Sequence, residues 1–278
     1  MNSNGTELGS MRLATFNILH GRSLTDGKVD VDRFAAAVRS LDADVLGLQE
    51  VDCDQPRSHG ADLTTIAAQA MGAREHRFMA TMAGVPGKWS AAIGNEPPQH
   101  SVPSYGIALL SRHPVRHWRA IRLPRLHGRI PVMHAGRRRP VLIKDEPRAA
   151  IAAVLDTPDG LMTVVVTHLT LIPGWNAVQL RRLVRLVRGL PRPLVVLGDL
   201  NLSGRLPARM TGMRPLASAL TFPVGTPVRQ IDHILGAGPV RTTSDGASLD
   251  LGVSDHQALV VEVEVHPAGA PTPGRDRR

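Results

Sequence analysis

The sequence predicts a mixed α/β protein in which mixed β-sheets carry helices on their outer faces. Short apolar runs alternate with amphipathic helical patterns along the chain, and two adjacent apolar runs are joined by a tight turn. A tight turn joins antiparallel strands, whereas strand, helix, strand units join parallel ones. The presence of both patterns favours mixed sheets over a purely parallel open sheet.

The first half of the chain contains strand and helix patterns in alternation. An acidic residue is typical of a helix start, so Asp30 or Asp32 marks the beginning of the first predicted helix. The predicted strands cover residues 11–18, 44–51 and 105–112, and the predicted helices cover residues 29–41 and about 62–71.

The second half contains the clearest hairpin and the clearest helix. Residues 148–156 and 161–169 flank a Pro-Asp-Gly turn, so these two runs predict a β-hairpin. The helix predicted over residues 175–190 has an apolar stripe, and its arginines lie off that stripe on a face that we expect to be solvated. Further strands are predicted over residues 194–200, 230–236 and 256–265.

The sequence lacks features of exported or membrane-spanning proteins. It has no uninterrupted apolar run of about 18 residues, and its first ten residues lack the apolar segment of a secretion signal. The lone Cys53 cannot form an intramolecular disulfide, which fits a reducing compartment. We therefore expect a cytoplasmic protein with no transmembrane segment.

The net charge of +9 has two competing explanations. It suits a protein attracted to polyanions such as nucleic acid, but charge runs are often solvated faces. The densest basic segment, residues 112–144, holds ten Arg or Lys and no acidic residue until Asp145. That segment is interpreted either as a basic flap over a phosphate group or as a solvent-exposed insertion.

Four apolar runs close on polar residues whose side chains bind metal ions or phosphate. Asn17, Glu50 and His168 close three of the runs, and Asp199 with Asn201 closes the fourth. A single polar residue at a strand end is commonly just the first solvated position, but four together favour a shared site. Residues two apart in a strand point to the same side, about 6.6 Å apart, so Asp199 and Asn201 can face one site.

Two motifs near the C-terminus add acidic and imidazole groups. Asp232 lies inside an apolar run, where a carboxylate needs a partner, and an imidazole can supply one. Asp255 and His256 directly precede the last predicted strand, which makes His256 a candidate partner of Asp232. Glu50 is a suitable ligand for Mg²⁺, which prefers one or two carboxylates together with water and substrate phosphate.

The ordered motifs TFN, LQEVD, YGIALLSR, EPR, THL, GDLN, IDHI and SDHQAL resemble those of the endonuclease/exonuclease/phosphatase superfamily. This superfamily of metal-dependent phosphoesterases includes DNase I-like nucleases, abasic-site endonucleases, sphingomyelinases and inositol-phosphate phosphatases. The resemblance implies a four-layer sandwich, with two mixed β-sheets packed face to face, helices on the outside and the active site at one rim. We expect a single domain over residues 11–266, disordered ends at residues 1–10 and 267–278, and a monomer.

The resemblance also implies a metal site and substrate contacts. Glu50 resembles the principal ligand for Mg²⁺, for which Mn²⁺ is a possible substitute, with Asn17 beside it and Asp255 near the metal. Tyr105 and Arg148 are candidates for substrate contact or support of the site.

The remaining motif residues are implied to carry the chemistry. His168 would bind a phosphate oxygen or protonate the leaving group, and Asn201 would stabilise the transition state. Asp199 would orient or deprotonate the attacking water. His256, oriented by Asp232, would contact the phosphate or act as the general base, so the identity of the base is open between Asp199 and His256.

These roles predict hydrolysis of a phosphate ester by in-line attack of water. The leading interpretation is a phosphodiesterase or nuclease, since duplex binding through phosphates needs only the abundant arginines. Only 3% of the residues are aromatic, which disfavours stacking platforms for single strands. The alternatives are a phosphatase of a small or lipid-derived phosphomonoester, such as an inositol phosphate, and a non-catalytic phosphate-binding adaptor.

Overall fold

The computed structural model describes residues 9–92, 102–132 and 140–265. The predicted disorder of the two ends falls outside these residues, apart from residues 9 and 10, and stays a prediction, as do the domain boundaries. Part of the basic segment, residues 133–139, also lies outside the described residues.

The described chain folds into strands and four α-helices. The strands are β1 (Ser10–Asn17), β2 (Val45–Cys53), β3 (Glu75–Ala83), β4 (Ser90–Ala91), β5 (Ser104–Ser111), β6 (Val115–Arg122), β7 (Arg129–Val132), β8 (Val141–Lys144), β9 (Ala149–Thr157), β10 (Gly160–His168), β11 (Leu194–Asp199), β12 (Arg214–Pro215), β13 (Asp232–Ala237), β14 (Val240–Thr242), β15 (Ala247–Leu249) and β16 (Ala258–Val265). The helices are α1 (Val31–Leu41), α2 (Leu63–Met71), α3 (Trp175–Val187) and α4 (Leu206–Thr211).

Most strands belong to two mixed sheets. The first sheet has the order β14, β16, β1, β2, β5, β3, β4, with β15 also paired to β16. The second sheet has the order β12, β13, β11, β10, β9, β6. Each sheet contains one parallel pair, β1 with β2 and β10 with β11, and the other pairs are antiparallel. The hairpin predicted around the Pro-Asp-Gly turn is confirmed as β9 and β10.

The helices cover the outer faces of the two sheets. One apolar cluster joins α1 and α2 to the outer face of the first sheet, and another joins α3 and α4 to that of the second. Asp30 caps α1, since its Oδ1 accepts hydrogen bonds from the backbone N–H groups of Asp32 and Arg33, each at 3.0 Å. The arginines of α3 are exposed, as predicted.

The two sheets pack directly against each other. A third apolar cluster contains residues from the inner faces of both sheets. Gly47 on β2 faces Leu197 and Val166 of the second sheet, and a Cβ atom there would lie only 2.1 Å from Leu197 Cδ1. Glycine therefore permits the close approach of the sheets at this point. The four-layer sandwich is confirmed.

The basic segment differs from the sequence-based interpretation. Its first part is β6, an edge strand of the second sheet that pairs with β9, and β7 and β8 form a separate antiparallel ribbon. A bulge between Val115 and His117 shifts the register and hides the alternation that would have indicated a strand. From Trp118 onward the apolar residues pack on apolar clusters, Arg119 is exposed, and Arg122 is half-buried and donates to the Ala80 carbonyl of the first sheet at 2.8 Å. This stretch is therefore part of the scaffold, and only the remainder extends beyond it.

None of the helices in the described ranges is long and apolar enough to cross a membrane. The cytoplasmic location and the monomeric state stay predictions.

Candidate active site

Asn17 and Glu50 come from the two parallel strands of the first sheet. Asn17 ends β1 and is buried, and its Nδ2 donates to Glu50 Oε1 and to Asp199 Oδ2, each at 3.1 Å. Contrary to prediction, β2 does not end at Glu50 but runs on to Cys53. Glu50 instead sits at a bulge, with a left-handed φ of 59°, where the register with β5 shifts. The bulge turns the Glu50 carboxylate toward Asn17 and the rim of the sandwich.

His168 and Asp199 come from the parallel pair of the second sheet. They are register partners at the ends of β10 and β11. His168 Nε2 lies 3.3 Å from Asp199 Oδ2, and both side chains are buried. Asp199 Oδ2 therefore meets Asn17 of the first sheet and His168 of the second, so this one oxygen joins the two sheets at their shared edge.

Asn201 reaches the site differently from the prediction. It lies beyond the end of β11, with a left-handed φ of 50°, so the two-residue repeat of a strand does not apply to it. Its backbone N–H donates to Asp199 Oδ1 at 2.9 Å, and its Nδ2 donates to the Leu169 carbonyl at 3.0 Å. Asp199 and Asn201 still face the same cavity, because this tight turn folds the amide back beside the carboxylate.

The predicted pairing of Asp232 with His256 is present. His256 Nδ1 lies 2.9 Å from Asp232 Oδ2, and Asp232 is fully buried at the start of β13. The same oxygen accepts from Thr221 Oγ1 at 2.6 Å, while Asp232 Oδ1 has no partner among the described residues. Burial alone would lower the pKa of His256, but the carboxylates of Asp232 and Asp199 raise it to about 10.

His256 also faces Asp199. Its Nε2 lies 3.9 Å from Asp199 Oδ2. Burial alone would raise the pKa of Asp199, but the imidazoles of His168 and His256 and the backbone N–H of Asn201 hold it well below its ordinary value. The Asp199 carboxylate therefore stays ionised although it is buried, because these neighbouring groups offset the free-energy cost of burying a charge.

These side chains line a cavity of about 770 Å³. The lining includes Glu50, His168, Asp199, Asn201 and His256. Tyr105 and Arg148, the candidates for substrate contact or support of the site, also line the cavity. Burial, and then Glu50, raises the pKa of Tyr105. Arg148 is buried, its guanidinium contacts Glu146 at 2.9 Å, and its Nε has no partner among the described residues.

Asp255 lies apart from this lining. Its carbonyl accepts from the backbone N–H of Val224 at 2.8 Å, and its Oδ1 lies 3.5 Å from Ser254 Oγ. The structure brings nine of the ten predicted residues together at or directly behind the cavity, and Asp255 is the exception.

Sequence reasoning missed several residues of the site. Ser254, with a φ of 80°, donates to the Asn17 carbonyl at 2.6 Å and accepts from the backbone N–H of His256 at 3.1 Å. Its place in the SDH motif was the available signal. Phe222 packs on His256 with ring centroids 4.9 Å apart, and Arg229 lines the cavity. No motif marked Phe222 or Arg229.

The donor set fits a divalent cation. Glu50 Oε1 accepts from Asn17, and none of the described residues donates to the other carboxylate oxygen of Glu50. Carboxylate and amide oxygens are the ligands that Mg²⁺ and Mn²⁺ prefer. A second group, not predicted from the sequence, consists of Asp199, Asp232 and His256, whose ligand atoms all lie within 4.8 Å of one another.

Comparisons with solved structures agree with the four-layer fold. A search of curated protein sequences returned no match. Among solved structures, an endonuclease/exonuclease/phosphatase from Beutenbergia cavernae has 25% sequence identity and a TM-score of 0.66, covering 96% of this chain and 74% of that chain. Mannosyl-6-phosphatase from Bacteroides thetaiotaomicron has 15% identity and a TM-score of 0.59, covering 91% and 99%. D. rerio TDP2 complexed with a single-strand DNA product has 14% identity and a TM-score of 0.59, covering 92% and 100%.

A comparison with models of protein families matches residues 14–256 to the Endonuclease/Exonuclease/phosphatase family. This match spans every residue of the cavity lining. The chain belongs to the Endonuclease/Exonuclease/phosphatase family.

Proposed function

We propose that this protein is a divalent-metal-dependent phosphodiesterase that cleaves its substrate by in-line attack of water. The observation that carries the proposal is the meeting of Asn17, His168 and His256 around one carboxylate oxygen of Asp199. His168, Asp199 and His256 face a cavity that Glu50 also lines. A buried carboxylate surrounded by donors, beside the partly exposed carboxylate of Glu50, suits activation of water next to a phosphate.

In this proposal Asp199 orients and deprotonates the attacking water. Its Oδ1 is held by the Asn201 backbone, while its Oδ2 points toward the imidazoles. His256 Nδ1 is committed to Asp232, which leaves Nε2 to donate to a phosphate oxygen. His168 Nε2 lies close enough to Asp199 to reach the same phosphate and protonate the leaving oxygen.

Glu50, with Asn17 beside it, would hold the metal ion. A bound Mg²⁺ or Mn²⁺ supplies charge neutralisation on the phosphate and the leaving oxygen. Arg148 supports the same function, because its buried Nε has no partner among the described residues while the side chain lines the cavity. We assign it to a phosphate oxygen of the substrate.

The test is hydrolysis of bis-p-nitrophenyl phosphate by the purified chain, first treated with EDTA and then supplied with Mg²⁺ or Mn²⁺. We expect activity only with added metal, and Asp199→Asn should lower turnover by at least about 10³-fold, since it removes the water-activating group. Asp32→Asn, an exposed residue of α1 outside the cavity, is the matched control and should keep full activity. Metal-independent hydrolysis, or activity retained in Asp199→Asn, would contradict the proposal.

A phosphomonoesterase is the second candidate, and the arginines favour it. Arg148 and Arg229 both line the cavity, and two cations together with a metal ion suit a dianionic monoester. The structurally similar proteins include both a mannosyl-6-phosphatase and a protein bound to a DNA product. A larger kcat/KM for p-nitrophenyl phosphate than for the bis-ester would select the monoesterase. If the diester is a nucleic acid, activity should fall steeply with salt, whereas a small ester should show little salt dependence.

A further inference from the structure

We infer that the phosphoester cleaved at this site carries an apolar arm, which packs against one wall of the active-site cavity. This inference rests on the proposed function and names the chemical class of its substrate. The wall, called the apolar wall below, consists of five lining residues: Leu171, Pro173, Leu206, Phe222 and Ile231.

The apolar wall is built by three neighbouring segments of the second sheet side. Leu171 and Pro173 follow β10, Leu206 begins α4 after β11, and Phe222 and Ile231 precede β13. All five residues line the same cavity.

Hydrogen bonds tie these three segments together. Asn176 Nδ2 donates to the Asn201 carbonyl at 2.7 Å, which links the start of α3 to the turn after β11. Leu200 N–H donates to the Ile231 carbonyl at 2.9 Å, and Gly204 N–H to the Gln230 carbonyl at 3.1 Å. The wall is therefore already assembled without a ligand, as is usual for small-molecule sites.

Of the polar side chains beside the wall, Ser203 and Arg229 are exposed and line the cavity, while two asparagine amides are already hydrogen-bonded. The side-chain amides of Asn176 and Asn201 each donate to a backbone carbonyl, and Asn176 Oδ1 accepts from the N–H of Ala177. A hydroxyl-rich group such as a sugar would lose its hydrogen bonds to water here and find few replacements. An apolar arm loses none.

Two leucines of the wall are exposed. Leu171 is 43% and Leu206 is 45% exposed, although both line the cavity. Single exposed leucines are common on protein surfaces, but these two continue an apolar surface that starts inside a cavity. An apolar arm would remove them from water, which is favourable by the hydrophobic effect.

The wall begins next to the reacting groups. The Phe222 ring packs against the His256 ring, with centroids 4.9 Å apart. An ester whose phosphate contacts His256 would therefore place a substituent along Phe222 and outward toward Leu206 and Leu171.

The experiment compares p-nitrophenyl phosphodiesters with methyl, butyl and octyl arms, at monomeric concentrations and with saturating Mg²⁺ or Mn²⁺. We expect kcat/KM to rise at least about tenfold from methyl to octyl. A fully buried methylene raises kcat/KM by a factor of at most about four, so a tenfold rise requires burial of only part of the octyl arm. The double variant Leu171→Ser/Leu206→Ser should flatten this dependence, because it should lower kcat/KM for the octyl ester much more than for the methyl ester. Leu24→Ser is the matched control, because Leu24 is 54% exposed and lies outside the lining, and it should keep the dependence.

Binding supplies a readout that does not need turnover. Octyl phosphate should raise the thermal midpoint of the chain at lower concentration than methyl phosphate, and the double variant should lose this difference. Hydrolysis of all esters at equal kcat/KM would overturn the apolar arm and leave the proposed function standing. No hydrolysis of any ester would overturn the proposed function, and the binding difference would then decide on the apolar arm alone.

Two further comparisons identify the source of the arm. Turnover of phosphatidylglycerol in vesicles, rising with lipid surface, would assign the arm to a membrane lipid, whereas activity confined to monomeric esters would assign it to a soluble amphiphile. A higher kcat/KM for the thymidine ester of p-nitrophenyl phosphate than for the octyl ester would overturn the inference in favour of a nucleotide.

Discussion

The site has two unlike halves. One half is Asn17 and Glu50 of the first sheet, where a partly exposed carboxylate is aimed by a backbone bulge and has one oxygen to which none of the described residues donates. The other half is Asp232, at the start of β13 in the second sheet, and His256, which precedes β16 of the first sheet, a buried pair held at 2.9 Å. In our proposal a cation completes the first half, whereas the second is largely satisfied by its own hydrogen bonds.

Because of this difference, we expect the first half to act mainly in ligand binding and the second half to contribute mainly to the stability of the fold. A partly exposed carboxylate changes the free energy of unfolding little when it is removed, so we expect Glu50 to act in ligand binding and to contribute little to folding. A buried, hydrogen-bonded pair is expensive to break from either side, because the survivor is left without a partner. Asp199 lies between the halves, with contacts to Asn17 on one side and to His168 and His256 on the other.

The largest expected effect comes from breaking the buried half with Asp232→Asn. The imidazole of His256 would lose the carboxylate that raises its pKa and orients Nδ1. We expect turnover to fall on the order of 10³–10⁴-fold, and the free energy of unfolding to fall by about 3 kcal/mol. Steady-state kinetics and urea denaturation measure the two losses.

The control for this change is Asp145→Asn. Asp145 is also buried, and its oxygens accept from Thr170 Oγ1 at 2.6 Å and from the backbone N–H of Leu126 at 2.8 Å, but no histidine among the described residues bonds to it. It should lower stability while changing turnover by less than about tenfold. Equal losses of turnover in the two variants would show that Asp232 acts only through the fold.

The opposite half is broken by Glu50→Gln. Turnover at low metal concentration should fall about 10²–10³-fold, since the charge that attracts the cation is gone. The free energy of unfolding without metal should change by less than about 0.5 kcal/mol. The rise in thermal midpoint on adding Mg²⁺ should disappear, because stabilisation by a ligand requires that it bind.

Glu146→Gln is the control for the metal site. Glu146 also lines the cavity, but its carboxylate contacts Arg148. We expect the thermal shift with Mg²⁺ to persist in this variant. If Glu146→Gln abolishes the shift and Glu50→Gln does not, the metal ligand has been assigned to the wrong carboxylate.

Sequence reasoning located the site better than it described the local backbone. Polar residues at strand ends and an Asp within an apolar run are visible in the sequence, and they correctly brought together Glu50, Asp199 and His256. The bulge at Glu50 and the left-handed turn at Asn201 are not visible, because non-glycine residues adopt such conformations only when tertiary contacts fix them. The edge strand β6 was missed because its bulge interrupts the apolar alternation.

The cavity wall was out of reach for a related reason. Leu171, Leu206 and Phe222 come from three separate segments of the chain, and no single stretch of sequence records that they line one cavity. Motif residues are constrained by chemistry and recur in recognisable strings. Residues that shape the substrate pocket are constrained by packing across the fold, so their role appears only in three dimensions.

The smallest expected effect comes from loosening the connection between the halves with Ser254→Ala. Ser254 Oγ donates to the Asn17 carbonyl at 2.6 Å and accepts from the His256 N–H at 3.1 Å, so one hydroxyl connects the metal side to the imidazole side. Its loss should lower the free energy of unfolding by about 1–2 kcal/mol, the range for a buried hydrogen bond whose partners stay unsatisfied. We expect turnover to fall about tenfold with the metal requirement unchanged. Ser58→Ala, a second buried serine that bonds to Asp52 at 3.1 Å, should lower stability comparably and leave turnover within about twofold. A drop in turnover as large in Ser58→Ala as in Ser254→Ala would mean that the two halves are aligned by the scaffold as a whole and not by this hydroxyl.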